Sequence, residues 1–199
     1  YLLSGSTDST LKLWEVSTGR EVRTFTGHIE VNSVSFSPDG SYALSGSSDK
    51  TLKLWEVSTG REVRSFTGYS DAVVGVSFSP DDQYMLSGSG IELKLWEVPT
   101  GRKIRTFTGH SYPIGSLALS PNGQYAISGD WTNKIKLWDV PKAQEIHTLT
   151  GHSNNSYFNA VTSLSFSPDG QYLLSGSTDS TLKLWEVSNC REVRSGKGA

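Results

Sequence analysis

The chain has 199 residues, of which 19% are charged, and its formal net charge at pH 7 is -2. This balance does not favour nucleic acid as a partner, because proteins that bind nucleic acid usually carry a strongly basic surface. No apolar run approaches the roughly 18 residues of a membrane-spanning helix, and no secretory leader is recognisable. We therefore expect a cytoplasmic protein that binds neither nucleic acid nor membrane. The single cysteine, Cys190, excludes an intrachain disulfide.

One motif recurs along the chain at a nearly fixed spacing. Leu-Lys-Leu-Trp-Glu-Val, or its variant Ile-Lys-Leu-Trp-Asp-Val, occurs five times, and successive tryptophans are separated by 41, 41, 42 and 47 residues. A period of about forty residues with several short strands per unit is typical of stacked or radial repeat proteins, which are usually binding platforms. The five repeat tryptophans are Trp14, Trp55, Trp96, Trp138 and Trp185.

The chain begins with a partial unit, residues 1–26, that offers three short segments of strand character. The first full unit, 27–67, opens on Gly-His and then alternates apolar with small polar residues, as half-buried strands do. Its first two strands are separated by Ser-Pro-Asp-Gly, in which proline presets one backbone angle and Asp-Gly accepts a positive one. The last strand is heavily charged, which suits an exposed edge. The strands predicted for this unit are 31–36, 42–47, 51–57 and 61–66.

Three more units of the same kind follow, and a short tail ends the chain. No capped run of ten residues with a 3.6-residue period occurs in any of them. The sequence therefore predicts an all-β protein with four antiparallel strands in each full unit and nineteen strands in total. The later units are 68–108, 109–150 and 151–195, and the tail is 196–199.

Two dipeptides in these units resemble the WD-repeat β-propeller family, whose repeats start near Gly-His and end near Trp-Asp. The resemblance covers the whole chain. It implies that each unit is a four-stranded blade, that the blades pack radially, and that the chain supplies about 4.75 of them. It also implies a non-enzymatic scaffold that binds a protein or peptide on the face where the loops gather. The matching dipeptides are Gly27-His28, Gly109-His110, Gly151-His152 and Trp138-Asp139, with Trp-Glu at the other four repeat tryptophans.

A histidine, a serine and an aspartate recur in two units with the composition of a hydrolase triad. Catalysis needs one activated serine with an oxyanion hole, rather than a copy in successive repeats. The family resemblance implies instead that these residues and the repeat tryptophan form a buried hydrogen-bonded network that fixes the blade. We therefore expect no catalytic, cofactor or metal site. The two networks are His28, Ser45, Asp49 and Trp55 in the first full unit, and His152, Ser175, Asp179 and Trp185 in the last.

The two middle units depart from this set. Tyr69 stands in place of the histidine, and a deletion around Gly90 removes the turn aspartate from the same unit. In the next unit, Thr132 occupies the position of Asp49. We therefore expect both networks to be broken and both units to be less rigid than their neighbours.

The repeats differ from one another mostly just after Gly-His and between the second and third strands. In a four-stranded meander both connections emerge at the same end of the strands, so the variable residues should share one surface. Exposed aromatic residues on such loops are the usual anchors of protein interfaces. The alternative is that these rings only pack on neighbouring loops. The aromatic candidates for partner binding are Tyr69, Tyr112, Trp131, Tyr157 and Phe158.

About 4.75 blades do not close a ring, and an unclosed row of blades would leave apolar faces in water. Three explanations are open: the chain is a fragment of a longer one, it forms a strained five-blade ring, or a second copy completes a larger ring. Residues 1–17 are identical to 172–188, so the strands of a second copy match those they would join. If the chain is complete, we favour the second copy and expect a homo-oligomer, in the simplest case a dimer.

A rival function is an enzyme or small-ligand site in the central channel of the propeller. Its walls would come from the first strand of each blade, whose polar residues are mostly serine and include no acid, base or metal ligand. This composition favours the scaffold. A third alternative is a sensor segment of a larger signalling protein. The predicted channel serines are Ser33, Ser35, Ser77, Ser116 and Ser165.

Overall fold

A computed structural model describes residues 1–153 and 159–197. Within those ranges the chain forms nineteen β-strands and no helix, so the predicted all-β fold is confirmed. No helix in the described residues is long and apolar enough to cross a membrane. The contacts between residues divide the chain into two compact units. The first is Tyr1–Gly90 with Leu95–Ile104, and the second is Ile91–Lys94 with Arg105–Ala199.

The first unit begins with a three-stranded antiparallel sheet, followed by a four-stranded one. The strands of the three-stranded sheet are β1 (Leu2–Gly5), β2 (Thr10–Trp14) and β3 (Glu21–Thr26). The next sheet contains β4 (Val31–Phe36), β5 (Tyr42–Ser47), β6 (Leu52–Glu56) and β7 (Glu62–Phe66). A third sheet has β8 (Val73–Phe78), β9 (Tyr84–Ser89), β10 (Glu92–Glu97) and β11 (Lys103–Phe107), and the division between the units passes through it.

The second unit contains two four-stranded sheets with the same order of strands. One is built from β12 (Ile114–Leu119), β13 (Tyr125–Asp130), β14 (Ile135–Asp139) and β15 (Gln144–Leu149). The other is built from β16 (Val161–Phe166), β17 (Tyr172–Ser177), β18 (Thr181–Glu186) and β19 (Arg191–Lys197). Each sheet is a meander in which consecutive strands are hydrogen-bonded neighbours.

The turn between the first two strands of the type unit forms as its sequence predicts. Gly40 has a φ of +73°, and its N–H donates to the carbonyl of Ser37 at 2.9 Å. The Ser37 hydroxyl is 2.6 Å from an Asp39 carboxylate oxygen, which also accepts the N–H of Ser41 at 2.9 Å. The predicted strands 31–36 and 42–47 therefore have the bounds that the structure shows, while the last two are shorter by one or two residues.

Within each unit, neighbouring sheets pack against each other through buried apolar side chains. In the first unit, Leu44 and Leu52 of one sheet are fully buried against Val73 and Val76 at the start of the next. A β-carbon on Gly46 would lie 2.7 Å from a methyl of Val73. Glycine is therefore required where the first strand of one sheet crosses the second strand of its neighbour. The second unit repeats this packing with Ile127, Ile135 and Leu149 against Val161, Leu164 and Trp185.

Candidate functional site

The first predicted network is present as a chain of hydrogen bonds across the β4–β7 sheet. The loop before β4 places the His28 Nδ1 atom 2.8 Å from a carboxylate oxygen of Asp49 in the β5–β6 connection. The Nε2 atom of the same ring lies 2.7 Å from the hydroxyl of Ser45 on β5. That hydroxyl oxygen also accepts the indole N–H of Trp55 on β6 at 2.7 Å. The side chains of four different segments are thereby linked across one sheet.

The last sheet repeats this arrangement. The His152 Nδ1 atom is 3.0 Å from Asp179, its Nε2 atom is 2.7 Å from the Ser175 hydroxyl, and the Trp185 indole donates to that hydroxyl at 2.8 Å. Burial lowers the pKa of His152 below its ordinary value. Burial opposes the charge of Asp179, but hydrogen bonds from Thr181, Ser153 and His152 outweigh that effect and hold its pKa well below the usual range. A neutral ring beside a charged carboxylate is therefore the favoured state.

A neutral ring with its proton on Nδ1 satisfies every group in this network. The Trp185 N–H donates to the Ser175 oxygen, the Ser175 hydroxyl donates to Nε2 of His152, and the Nδ1–H of His152 donates to Asp179. Ser175 is fully buried, so its hydroxyl has no access to solvent or to a substrate. The set is arranged to hold a sheet together rather than to attack a bond.

The expectation that Thr132 breaks the network of the β12–β15 sheet is wrong. The His110 Nδ1 atom lies 2.9 Å from a carboxylate oxygen of Asp130, and its Nε2 atom lies 2.7 Å from the Ser128 hydroxyl, which accepts the Trp138 indole N–H at 2.8 Å. Asp130 follows Ser128 by two positions on β13, so both side chains point to the same face of the strand. Thr132 supports the carboxylate instead, since its hydroxyl donates to Asp130 at 2.7 Å.

Tyr69 is buried, so the prediction that it binds a partner on the loop surface is wrong. Its hydroxyl lies 2.7 Å from that of Ser87, which also accepts the Trp96 indole N–H at 3.1 Å. The Tyr69 and Trp96 ring centroids are 5.8 Å apart. Burial raises the pKa of the Tyr69 phenol far above its ordinary value. Tyrosine thus takes the place of histidine in a shortened network that still joins the loop to the sheet.

Two predicted aromatic residues are exposed and lie at the same end of the β12–β15 sheet. Tyr112, just before β12, is 53% exposed, and Trp131, just after β13, is 56% exposed. The backbone N–H of Trp131 donates to the carbonyl of Pro113 at 3.0 Å. The Trp131 indole lies over Gly115, where a β-carbon would come within 3.5 Å of it. We call Tyr112, Pro113 and Trp131 the aromatic loop surface. The other two candidates, Tyr157 and Phe158, lie outside the described residues.

The predicted channel serines include two whose hydroxyls bind a neighbouring sheet. The Ser33 oxygen accepts the backbone N–H of Val76 at 3.2 Å. The Ser116 hydroxyl donates to the carbonyl of Val161 at 3.0 Å. Each bond joins the first strand of one sheet to the first strand of the next, within one unit. These two hydroxyls therefore contribute to packing between sheets.

The four-stranded antiparallel sheets and their His, Asp, Ser and Trp networks define this chain as a WD-repeat β-propeller protein, as the sequence motifs predict. A family model described as "IFT122 first beta-propeller" matches residues 1–198, and the chain belongs to that family.

Shorter matches relate the chain to other proteins. It is similar to a Lissencephaly-1 homolog of Heterostelium pallidum, with 49% identity over 43 residues, which is 21% of this chain and 10% of that protein. It is similar to a probable E3 ubiquitin ligase complex SCF subunit sconB of Arthroderma otae, with 67% identity over 30 residues, 15% of this chain and 4% of the relative. A ribosome biogenesis protein BOP1 homolog of Monosiga brevicollis is 51% identical over 39 residues, 20% of this chain and 5% of the relative. The chain thus spans a small fraction of each relative.

Proposed function

We propose that this protein is a non-enzymatic scaffold that binds a protein or peptide partner through the aromatic loop surface. The observation that carries the proposal is the exposure of Trp131 on a loop whose backbone is fixed to Pro113. A large ring on a loop whose backbone is already fixed loses less conformational entropy on binding than one on a free loop. Aromatic side chains of this kind dominate the binding energy of protein interfaces.

The buried networks support a scaffold over a hydrolase. The serines of the three histidine networks, Ser45, Ser128 and Ser175, are fully buried. Each oxygen already accepts an indole N–H from the repeat tryptophan. A nucleophile has to be reached by its substrate, and each of these hydroxyls is buried inside the sheet whose segments it links. One relative is a probable subunit of an E3 ubiquitin ligase complex, which is consistent with a role in assembly.

A capture experiment with matched variants tests the aromatic loop surface. The variant Trp131→Ala should lower the affinity for the captured partner by about thirtyfold, because a hot-spot side chain contributes about 2 kcal/mol or more. Tyr84→Ala is the control, since Tyr84 is also partly exposed but starts β9 in the other unit. Partners are captured on immobilised wild-type protein and quantified by mass spectrometry, and their dissociation constants are then measured by calorimetry. Equal affinity of Trp131→Ala and Tyr84→Ala for every partner would exclude this surface.

We also propose that a second copy of the chain covers one face of the β16–β19 sheet. Leu174 and Leu182 on this face are 45% and 51% exposed, whereas the equivalent Leu44 and Leu52 are fully buried by the next sheet. In the other sheets, leucines at these positions belong to the apolar core. Their exposure here therefore favours a second sheet of the same kind as the partner of this face.

The β1–β3 sheet of the second copy is the proposed neighbour. Its tryptophan, Trp14, is only half-buried, whereas the other repeat tryptophans are buried. Inside the first unit, Arg23 donates to the carbonyls of Ser58 and Thr59 in the last turn of the next sheet, at 2.8 and 2.7 Å. The β1–β3 sheet has the same Ser-Thr-Gly turn at 17–19, and Arg194 on β19 is the counterpart of Arg23. Arg194 of one copy can therefore donate to the turn carbonyls of the β1–β3 sheet in another copy, as Arg23 does within one chain.

A further inference from the structure

A cleft opens between the β4–β7 and β8–β11 sheets of the first unit. It has a volume of about 330 Å³ and is lined by residues that include Leu54, Val63, Arg64, Phe78, Asp82 and Val98. The turns that border it join the first to the second strand and the third to the fourth, so it lies at the opposite end of the strands from the histidine loops. The volume is at the lower end of the range for ligand pockets, about 300–1,000 Å³.

Arg64 in this cleft lacks the partners that its counterpart has. Arg23, at the same position one sheet earlier, donates through both terminal nitrogens to turn carbonyls. The Nη1 atom of Arg64 is buried and has no hydrogen-bond partner among the described residues. The turn opposite Arg64 carries Pro99 where the earlier turn has Ser58. A buried guanidinium nitrogen without an acceptor is costly, and an acceptor on a ligand would remove that cost.

Asp82 is a second departure from the repeat in the same cleft. The other full units have Gly40, Gly123 and Gly170 at this position, each with a φ near +70°, and Asp82 adopts a φ of +59°. A side chain in the left-handed region is strained where glycine is not. One carboxylate oxygen of Asp82 is buried without a hydrogen-bond partner among the described residues. Burial and the nearby Asp39 carboxylate raise the pKa of Asp82 above its ordinary value, and a hydrogen bond from the Asp39 backbone opposes part of this shift.

We propose that this cleft binds an extended peptide segment in which a basic side chain adjoins an aliphatic one. The basic side chain pairs with Asp82, next to the carboxylate of Asp39. A backbone carbonyl of the peptide accepts the N–H of Arg64, and the aliphatic side chain packs on Val63 and Val98. Val63 is 43% exposed in the free protein, so its burial contributes to binding.

The cleft contains no residue of the aromatic loop surface, so binding at the two sites can be measured separately. The probe is the peptide acetyl-Val-Lys-Val-Lys-Val-Lys-amide, titrated into isotope-labelled protein and followed by NMR. Saturable shifts should map to residues around Arg64 and Asp82, with a dissociation constant at or below about 1 mM. The matched peptide with glutamate in place of lysine should bind at least about tenfold more weakly.

Three variants decide the assignment. Asp82→Gly restores the residue of the other repeats, so it should fold with a raised Tm and yet bind the lysine peptide about tenfold more weakly. Arg64→Gln should weaken binding about fivefold, whereas Arg23→Gln and Trp131→Ala should leave it within about twofold of wild type. No saturable binding by the wild-type protein, undiminished binding by Asp82→Gly, or equal binding of the glutamate peptide would each overturn the proposal.

Discussion

The histidine at the start of a repeat is held at both ring nitrogens in three of the sheets. The carboxylate that binds Nδ1 comes from two different backbone positions, since Asp49 lies in a turn while Asp130 ends a strand. Both carboxylates are supported by a threonine hydroxyl, from Thr51 at 2.5 Å and from Thr132 at 2.7 Å. What the repeats keep is therefore the position of the carboxylate in space, and not its position in the sequence.

Removing the Asp130 carboxylate should cost more stability than removing the Thr132 hydroxyl. Asp130→Ala leaves a buried ring nitrogen of His110 without its partner, which should lower the free energy of unfolding by about 2–3 kcal/mol. Thr132→Val removes one hydroxyl hydrogen bond and should cost about 1 kcal/mol. Urea unfolding followed by tryptophan fluorescence measures both. A larger loss for Thr132→Val would show that Asp130 does not hold the network together.

Acid should destabilise the last sheet through His152. Burial lowers the folded-state pKa of this histidine below the ordinary value of 6.5, so the unfolded chain binds more protons between the two values. The stability that comes from the neutral ring should therefore be complete above about pH 7 and decline as the pH falls from 6.5 towards the folded pKa. The contribution of Asp179, whose pKa is lowered from 3.8, should be lost in more acidic solution.

The variant His152→Tyr isolates this effect, because Tyr69 already occupies the same place in another sheet. Urea unfolding at a series of pH values from about 8 to 5 should show a shallower decline for the variant than for the wild type. Parallel curves for the two proteins would mean that His152 does not cause the loss.

Two glycines at equivalent positions, one on β5 and one on β17, have different environments. Gly46 on β5 is crossed by β8, and a β-carbon there would meet a Val73 methyl at 2.7 Å and the Val73 carbonyl at 3.1 Å. Gly176 occupies the equivalent position on β17, where the nearest atom is the end of the Leu182 side chain at 3.3 Å. Close approach of a neighbouring sheet, and not the strand itself, makes glycine necessary at this position.

Gly46→Ala should therefore destabilise the protein, while Gly176→Ala should be tolerated. Overpacking against Val73 should lower the free energy of unfolding by about 1–3 kcal/mol. At Gly176 the flexible end of Leu182 can move, so the change should stay within about 0.5 kcal/mol. Chemical unfolding at low protein concentration compares the two variants. Equal losses would mean that contact with the next sheet does not set the requirement for glycine.

The strands are predictable from the sequence because apolar and polar residues alternate strongly along them and this pattern is repeated in every unit. The role of Asp130 is not evident when equivalent positions of the repeats are aligned, although the same period of two places it beside Ser128. The burial of Tyr69 also had a signal, since it stands where a buried histidine stands elsewhere. The exposure of Trp131 is predicted from its place in a variable loop, whereas its backbone bond to Pro113 and its contact with Gly115 have no signal in the sequence.

The exposed leucines of the β1–β3 and β16–β19 sheets occupy positions that are buried in the β4–β7 sheet. Leu174 and Leu182 expose about half of their surface, and Leu2 on the first sheet is 52% exposed. Burying apolar surface contributes roughly 25 cal/mol per Å², which supports the proposed contact between the β16–β19 face of one copy and the β1–β3 face of another. The heavily charged β19 at the edge of the same sheet opposes pairing of strands edge to edge. Packing face to face is therefore the favoured form of contact.

Association of two copies should depend on these leucines. Light scattering of the wild-type protein should give about twice the monomer mass of 21.7 kDa at micromolar concentration. The double variant Leu174→Gln and Leu182→Gln should give the monomer mass, because each glutamine places a polar amide in an apolar contact. Val22→Gln serves as the control, since Val22 is 46% exposed on β3, away from both proposed faces. A wild-type mass of 21.7 kDa at every concentration would exclude the second copy, and a loss of association in Val22→Gln would place the contact elsewhere.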